Sequence, residues 1–437
     1  MIPHSKPGET RATNRHHNFA FTPISINFAA DDMPNVFHTL LPTIMAEAMA
    51  VATPCTAAAA EQADTAVTGS SSRVVHRVEA DYATGGIFHT DSYLNGGNAE
   101  RRIMNHASAV RLKYAFMAPV GSMQSRIYPG AYQGVGVGFH RFNPQLGNPV
   151  SVFIFQGARI ASIGRRLSFN YEWNLGLAMG WHPYDSETNP DNHIIGSRAT
   201  AYLDADIYLS YSPAAWLDVS AGVSASHYSN GNTAYPNLGL NTLAARLSAA
   251  FYFGRSPGRQ PAGPMPRFRR HMSYDLVVFG AWRRRGVAVG DGATLYAVPG
   301  TYGVAGINFT PLYNINHWLN AGLSLDAVYD NSANIYFEGD VPTAENVRQP
   351  KPSRQMAAGL SARVEFVMPY FTIDFGVGKN IIGAGGDFSG TYEILALKVD
   401  VLRNSFLHIG YSLYDFQKPN YLMLGVGYRF GSKRKWR

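Results

Sequence analysis

Three polar side chains with the chemistry of acyl transfer lie close together in this chain: His227, Ser229 and Asn241. A serine hydroxyl becomes a nucleophile when a histidine takes its proton, and a third polar group then fixes the imidazole tautomer. Side chains two residues apart on a strand leave the same face, so His227 and Ser229 would point together. A hairpin would bring Asn241 beside them. The spacing is therefore compatible with an ester-processing site at a hairpin.

The residues that follow the serine supply hydrogen-bond donors. The Asn230 side chain and the backbone N–H groups of Asn230 and Gly231 are placed to stabilise the oxyanion of a tetrahedral intermediate. A strand end at a membrane interface also carries His, Tyr, Ser and Asn simply because it meets lipid headgroups. On spacing alone, both interpretations stay open.

The strands that must position these groups show a period of two from residue 72 onward. Before His227, one face carries the apolar residues Leu217, Val219, Ala221, Val223 and Ala225. His227 and Ser229 continue this face. Repeated segments of about ten such residues between turns are typical of a transmembrane β-barrel, whose apolar face meets lipid. A soluble β-sandwich is disfavoured, because Gly, Tyr and Ser fill the opposite face instead of Lys and Glu.

Composition agrees with a membrane barrel. Of the 437 residues, 13% are aromatic and only 15% are charged, against about 25% charged in an average soluble protein. These values exclude a disordered chain and a coiled coil. The net charge is +7, and Lys and Arg cluster in three separate segments, 255–270, 283–285 and 433–437, instead of forming the single basic stripe of a nucleic-acid binder. The positive charge is explained by solubility alone or by an anionic partner, and an anionic membrane surface or a phosphorylated lipid fits at least as well as nucleic acid.

Connections between the strands alternate between short turns and long loops, which assigns them to the periplasmic and outer sides. About eight strands precede Gly254 and about eight follow His271. The favoured architecture is an all-β, antiparallel barrel of about sixteen strands; the alternative is two eight-stranded barrels from a duplication. The predicted parts are a leader or disordered segment (1–70), a barrel half with the site (71–254), a Pro/Arg-rich linker (255–270), a second half (271–431) and a basic tail (432–437).

The leader has features of a secretory signal. An apolar, alanine-rich run covers 40–60 after a basic start, although Glu47 and Pro54 interrupt it. Translation starting at Met33 is an alternative. The single cysteine, Cys55, excludes an intramolecular disulfide, and the residues before it do not favour a lipoprotein. We therefore expect export to the outer membrane of a Gram-negative bacterium.

A family resemblance supports this interpretation. The run from His227 to Asn230, followed by Pro236, Asn237 and Gly239, resembles the active-site segment of the lipid A 3-O-deacylase (PagL-like, acyloxyacyl hydrolase) family. The runs 167–174 and 180–184 are similar to longer members, and the resemblance covers roughly residues 72–254. It implies an outer-membrane barrel that hydrolyses the 3-position ester of lipid A with no metal or other cofactor.

Carried over by position, the resemblance assigns His227 as the base, Ser229 as the nucleophile and Asn230 as the oxyanion-hole residue. Gly231 and Asn237 join Asn230 as oxyanion or substrate-binding residues. The family has an acidic third member where this sequence has Asn241. An asparagine orients an imidazole but cannot stabilise an imidazolium by charge, so this role is where the chain departs from the family.

The second half lacks the constellation. Ser412 precedes Pro419 as Ser229 precedes Pro236, but Gly410 stands where a histidine is needed. By its parity, Ser412 would point into the lumen, so a single active site is expected. The histidines show no metal-ligand spacing, and the acidic loop 185–192 is more readily explained as solvated than as a divalent cation site.

The sequence thus predicts an outer-membrane esterase that removes a 3-O-linked acyl chain from lipid A in the outer leaflet. Two alternatives are a non-enzymatic porin or surface-interaction barrel and a lipid A acyltransferase. The sequence does not indicate the oligomeric state.

Overall fold

The computed structural model describes residues 74–256, 263–289, 294–416 and 418–432. These residues form two closed barrels of eight antiparallel strands each. The strands of the first barrel are β1 (Val75–Ile87), β2 (His106–Met117), β3 (Tyr132–Arg141), β4 (Gly147–Ile163), β5 (Leu167–Trp181), β6 (Ala199–Ala214), β7 (Leu217–Ser229) and β8 (Leu240–Phe253). A five-residue helix, α1 (Met123–Ile127), lies between β2 and β3.

The rest of the described chain adds twelve strands in the same antiparallel manner. They are β9 (His271–Arg283), β10 (Gly286–Val289), β11 (Thr294–Ala297), β12 (Tyr302–Asn314), β13 (Leu319–Asp330), β14 (Tyr336–Phe337), β15 (Val347–Arg348), β16 (Met356–Val367), β17 (Phe371–Ile382), β18 (Thr391–Asp400), β19 (Ser405–Tyr414) and β20 (Lys418–Phe430). The pairs β10–β11 and β14–β15 are small hairpins outside the barrel. Short 3-10 turns occur at Pro352–Arg354 and Gly386–Phe388. No helix in the described ranges is long and apolar enough to cross a membrane.

The all-β barrel prediction is confirmed in its two-barrel form, and the favoured single barrel of sixteen strands is wrong. β8 returns to pair with β1, and β20 returns to pair with β9. Closing each half on itself leaves neither half with an unpaired edge strand. The predicted leader, with Cys55, lies outside the described residues, as do parts of the linker and the basic tail.

Along each barrel strand, successive side chains point alternately into the lumen and onto the outer surface, as the period of two requires. In β7, Ser220 and Ser224 are buried inside, whereas Val219 and Val223 are 41% and 43% exposed on the outer surface. The lumen of the first barrel is filled with charged side chains. They form ion pairs in which the basic residues are Arg77, Arg111, Lys113 and Arg246, and the acidic ones are Glu79, Asp81, Glu172, Asp204 and Asp206.

The predicted lumen residues Arg246, Asp204 and Asp206 therefore belong to a packed polar plug. Arg246 lies 3.4 Å from Asp206, and Arg111 lies 2.6 Å from Asp204. An eight-stranded barrel leaves an interior just wide enough for side chains, so paired charges fill the space. This packing gives the first barrel a filled centre in place of a channel.

The two barrels lie side by side with the same orientation. Trp173, in the middle of β5, packs edge-on against Phe371, the first residue of β17, with ring centroids 5.0 Å apart. Both belong to an apolar cluster shared by the two barrels. We call the end where β7 meets β8 the loop end and the opposite end the turn end. At the turn end, the Tyr128 hydroxyl donates to the His317 carbonyl at 2.7 Å.

In the first barrel, short turns at the turn end alternate with long loops at the loop end, with two exceptions. The turn-end connection between β2 and β3 contains α1, and the loop-end connection between β3 and β4 (142–146) is short. The other loop-end connections include the long segments 182–198 and 230–239, which surround the candidate site.

Candidate active site

His227 and Asn241 face each other across the pair of strands β7 and β8. Both side chains lie half-buried on the outer surface of the first barrel. The Nδ1–H of His227 donates to Asn241 Oδ1 at 2.6 Å. Because an amide oxygen only accepts, this bond places the proton on Nδ1 and the lone pair on Nε2. Asn241 therefore sets the tautomer that a general base needs.

Ser229 leaves the same outer face of β7, two residues beyond the histidine, and is half-buried. Gly239 borders both side chains. A Cβ on Gly239 would lie 3.0 Å from His227 Cε1 and 3.5 Å from Ser229 Cβ. The imidazole and the serine thus adjoin one small space, and a residue without a side chain keeps that space open.

Three hydrogen-bond donors follow Ser229 in the chain: the Asn230 N–H, the Asn230 side-chain amide and the Gly231 N–H. The Asn230 N–H donates to Asn237 Oδ1 at 2.8 Å, so this backbone donor is already taken. Asn230 is only 5% exposed, and among the described residues its Nδ2 has no acceptor. Among the described residues, no backbone carbonyl accepts from the Gly231 N–H. Of the donors expected to stabilise an oxyanion, the Asn230 amide and the Gly231 N–H therefore remain as candidates.

Asn237 acts here as a bridge within the loop. Its Oδ1 accepts from the Asn230 N–H, and its Nδ2 donates to Asn232 Oδ1 at 3.2 Å. The predicted substrate-binding residue is thus occupied with holding the loop. Its amide couples Asn230 to Asn232, a residue that sequence reasoning did not single out.

Two further structures hold this loop, which spans 230–239. The first is the β5–β6 loop, whose backbone carbonyls accept two hydrogen bonds. The Leu238 N–H donates to the His193 carbonyl at 3.2 Å, and the Gly239 N–H donates to the Ile194 carbonyl at 3.1 Å. On the other side lies the second barrel, against which Gly231 and Asn232 rest. The Gly-Asn pair signals a turn, but a single sequence carries no signal that identifies this neighbour.

The described residues of the second barrel contain no equivalent arrangement. Ser412 is 1% exposed and points into the lumen, as its parity predicts, and Gly410 stands two residues before it. In the described ranges, no group of three His, Cys, Asp or Glu side chains is arranged to hold a metal ion.

The acidic loop has a local explanation. Asp185 Oδ1 accepts from the backbone N–H groups of Glu187 and Thr188, at 3.0 and 2.9 Å, and from the Thr188 hydroxyl. These hydrogen bonds, with the Thr188 N–H foremost, lower the pKa of the Asp185 carboxyl. The carboxylate organises its own turn.

A closed barrel with an alternating apolar exterior and a Ser–His pair on that exterior defines an outer-membrane β-barrel protein with a candidate lipid-processing site. Family models identify the group. The model described as lipid A 3-O-deacylase (PagL) matches residues 88–250, and that described as acyloxyacyl hydrolase, C-terminal domain, matches residues 272–434. The chain belongs to the lipid A 3-O-deacylase family, and its two barrels correspond to the two matched regions.

Comparison with solved structures finds other barrels at low similarity. The Pseudomonas putida toluene transporter TodX is 8% identical with a TM-score of 0.17, over 84% of this chain and 90% of that one. A triple mutant of the Rhodopseudomonas blastica porin is 9% identical with a TM-score of 0.16, over 82% and 100%. The translocator domain of the autotransporter NalP from Neisseria meningitidis is 11% identical with a TM-score of 0.14, over 90% and 97%. No curated protein sequence matches this chain.

Proposed function

We propose that this protein hydrolyses the 3-O-linked acyl ester of lipid A in the outer leaflet, with Ser229 as nucleophile and His227 as base. The observation that carries the proposal is the 2.6 Å hydrogen bond from His227 Nδ1 to Asn241 Oδ1, on the same outer face as Ser229. A histidine held in this tautomer beside a serine matches the requirements of acyl-transfer catalysis.

The first half of the reaction forms an acyl-enzyme. Ser229 Oγ attacks the ester carbonyl carbon while His227 Nε2 takes the hydroxyl proton. The C=O electron pair moves onto oxygen, and the Gly231 N–H and Asn230 Nδ2 stabilise the resulting oxyanion. The intermediate collapses, the bond to the sugar oxygen breaks, and His227 returns the proton to that oxygen. The deacylated lipid A leaves with a free 3-hydroxyl.

The second half releases a fatty acid. A water molecule attacks the acyl carbon of the Ser229 ester, and His227 takes one of its protons. Collapse of this second intermediate breaks the bond to Ser229 Oγ, which regains its proton from His227. One ester and one water have become one alcohol and one carboxylic acid, and the enzyme is unchanged.

Substrate access follows from the direction of the side chains. His227 and Ser229 lie on the outer surface of the barrel, in line with the exposed apolar row of β7. A lipid in the bilayer reaches such a surface laterally. The site lies at the loop end, which corresponds to the outer leaflet if the long loops face outward. The expected substrate is therefore an acylated lipid of that leaflet.

Mass spectrometry of lipid A tests the proposal directly. Exposure to the purified protein should remove one 3-O-linked acyl chain, and Ser229→Ala should abolish this loss while keeping the heat-modifiable migration of a folded barrel. An unchanged mass spectrum with the folded wild-type protein would overturn the proposal. A labelled acyl donor separates hydrolysis from acyl transfer, because transfer places the label on a second lipid instead of a free fatty acid.

The packed lumen of the first barrel argues against the pore alternative. Arg111 and Arg246 are at most 1% exposed and lie among buried carboxylates. Planar-bilayer recordings should therefore show little conductance through the first barrel.

A further inference from the structure

The β7–β8 loop (230–239) is held against the second barrel by polar contacts. Asn232 Nδ2 donates to the backbone carbonyls of Pro419 and Asn420, at 3.2 and 3.1 Å. In return, the Arg284 N–H donates to the Asn232 carbonyl at 2.7 Å. Asn232 thus connects to β20 and to the residue that follows β9 in the second barrel.

The second barrel also fixes its own side of this contact. Arg283 Nη1 donates to Asn420 Oδ1 at 2.7 Å and forms an ion pair with Asp330 at 3.0 Å. The backbone of β20 that receives Asn232 is therefore tied to β9 and β13. The loop rests on a part of the barrel that is itself cross-linked.

An apolar contact adds to the polar ones. A Cβ on Gly231 would lie 2.8 Å from Leu422 Cγ and Cδ2, so the glycine backbone rests directly on the leucine side chain. Gly231 also has a φ of +62°, a conformation that glycine adopts without strain. Leu422 therefore supports the residue whose N–H is an oxyanion donor.

A relay of side-chain amides joins these contacts to the site. Asn232 Oδ1 accepts from Asn237 Nδ2, and Asn237 Oδ1 accepts from the Asn230 N–H. A shift of Asn232 is thus transmitted through one amide to the residue that follows Ser229. Oxyanion donors act only when they are held in place before the reaction, so their support matters for the rate.

We propose that the second barrel is part of the catalytic unit, because it positions the oxyanion donors of the first barrel through Asn232 and Leu422. This inference rests on the proposed function, and it gives the barrel without a site a role in the reaction. Asn232 and Leu422 are positioning residues that act through Asn230 and Gly231.

Asn232→Asp is the sharpest variant. It keeps an oxygen for Asn237 Nδ2 but loses the amide donor to the carbonyls of Pro419 and Asn420. Leu422→Ala removes the support of Gly231. Each variant should lower kcat about tenfold and leave KM within about twofold of the wild-type value. A tenfold loss is the expected effect of losing roughly one hydrogen bond or one packing contact. KM is spared because oxyanion donors stabilise the transition state and not the bound ester.

Two controls separate positioning from general damage. Leu422→Met retains a long apolar side chain against Gly231 and should restore kcat. Val426→Ala truncates another outward residue of β20, 61% exposed, and should leave kcat unchanged. All variants are compared as full chains that show heat-modifiable migration.

The outcomes are distinguishable from failure of the proposed function. If the wild type does not deacylate lipid A, the proposed function falls. If the wild type is active and both Asn232→Asp and Leu422→Ala keep its kcat, the positioning role is overturned and the deacylase stands. Equal losses in Leu422→Ala, Leu422→Met and Val426→Ala would likewise overturn it, because they would indicate nonspecific damage to the second barrel.

Discussion

His227 lies directly opposite Asn241 across two antiparallel strands, and a 2.6 Å hydrogen bond from Nδ1–H to Oδ1 joins them. The pairing register alone brings the two residues together, because residues opposite each other in a ladder have side chains on the same face. An uncharged amide thus occupies the position that orients the proposed base. It fixes the tautomer, but it leaves a positive imidazolium without a counter-charge.

The missing counter-charge leads to a prediction for Asn241→Asp. A carboxylate at this position still accepts from Nδ1–H, and charge-assisted hydrogen bonds are about twice as strong as neutral ones. We expect kcat for acyl release from lipid A to rise by about tenfold, equivalent to roughly 1.4 kcal/mol of imidazolium stabilisation. Asn241→Leu, which accepts nothing, should lower kcat. A slower Asn241→Asp enzyme would show that charge at this position does not limit the reaction.

Gly239 provides a test of the geometry around His227. Alanine at this position places a Cβ 3.0 Å from His227 Cε1 on a backbone with a φ of +76°. The imidazole must move by a few tenths of an ångström. We expect Gly239→Ala to lower kcat by about tenfold, since misplacement by about 1 Å can cost about a hundredfold.

Gly164 supplies the matched control for that substitution. It has a similar φ of +65°, but an added Cβ meets nothing within 4 Å. Gly164→Ala carries the backbone strain alone, about 1–2 kcal/mol, and should leave kcat unchanged. Equal kinetics of the two alanine variants would count against the placement of His227 beside Gly239.

The barrel fold and the facing of the site residues could be predicted from the sequence because both depend on a local period of two. The outward direction of His227 follows from its parity with Val219 and Val223, and the inward direction of Ser412 follows in the same way. Closure into two barrels could not be predicted, since strand count permits one closed sheet or two.

The contacts of the site were also beyond the sequence. Asn232 is separated from Asn420 by 188 positions, and only the packing of the barrels brings them together. The backbone donor expected at Asn230 is engaged by Asn237 for a similar reason, because the path of a loop is not encoded by any periodicity. Local alternation thus determines facing, whereas loop contacts depend on the whole fold.

Arg111 is expected to contribute strongly to the free energy of unfolding of the first barrel. Its guanidinium lies 2.6 Å from Asp81, 2.6 Å from Asp204 and 3.4 Å from Asp206, all inside the first barrel. Arg111→Met leaves Asp204 without its ion-pair partner in a buried site, whereas Asp81 and Asp206 keep Arg246. Breaking such a buried ion pair costs about 3–5 kcal/mol. Urea unfolding of the refolded protein should show this loss. Arg165→Met, at an exposed turn, should change the free energy of unfolding by less than about 0.5 kcal/mol.

The loop that supports Gly239 contains a histidine whose contact with a carboxylate depends on pH. His193 Nδ1 lies 3.9 Å from Asp91 Oδ1, and the neighbouring Asp91 carboxylate raises the pKa of the His193 imidazole. The stabilisation from this contact is fully present below the unfolded-state pKa of about 6.5 and is lost as pH rises through the higher folded-state value.

The His193 side chain is 48% exposed, so solvent screening limits the effect to a few tenths of a kcal/mol, about 0.3–0.5. Thermal unfolding in detergent should show wild type more stable than His193→Gln at pH 5.5, with the difference shrinking by pH 8.5 and in high salt. If the stability difference between wild type and His193→Gln grew as the pH rose, the neutral imidazole would be the stabilising form. The contact between His193 and Asp91 would then not be an ion pair.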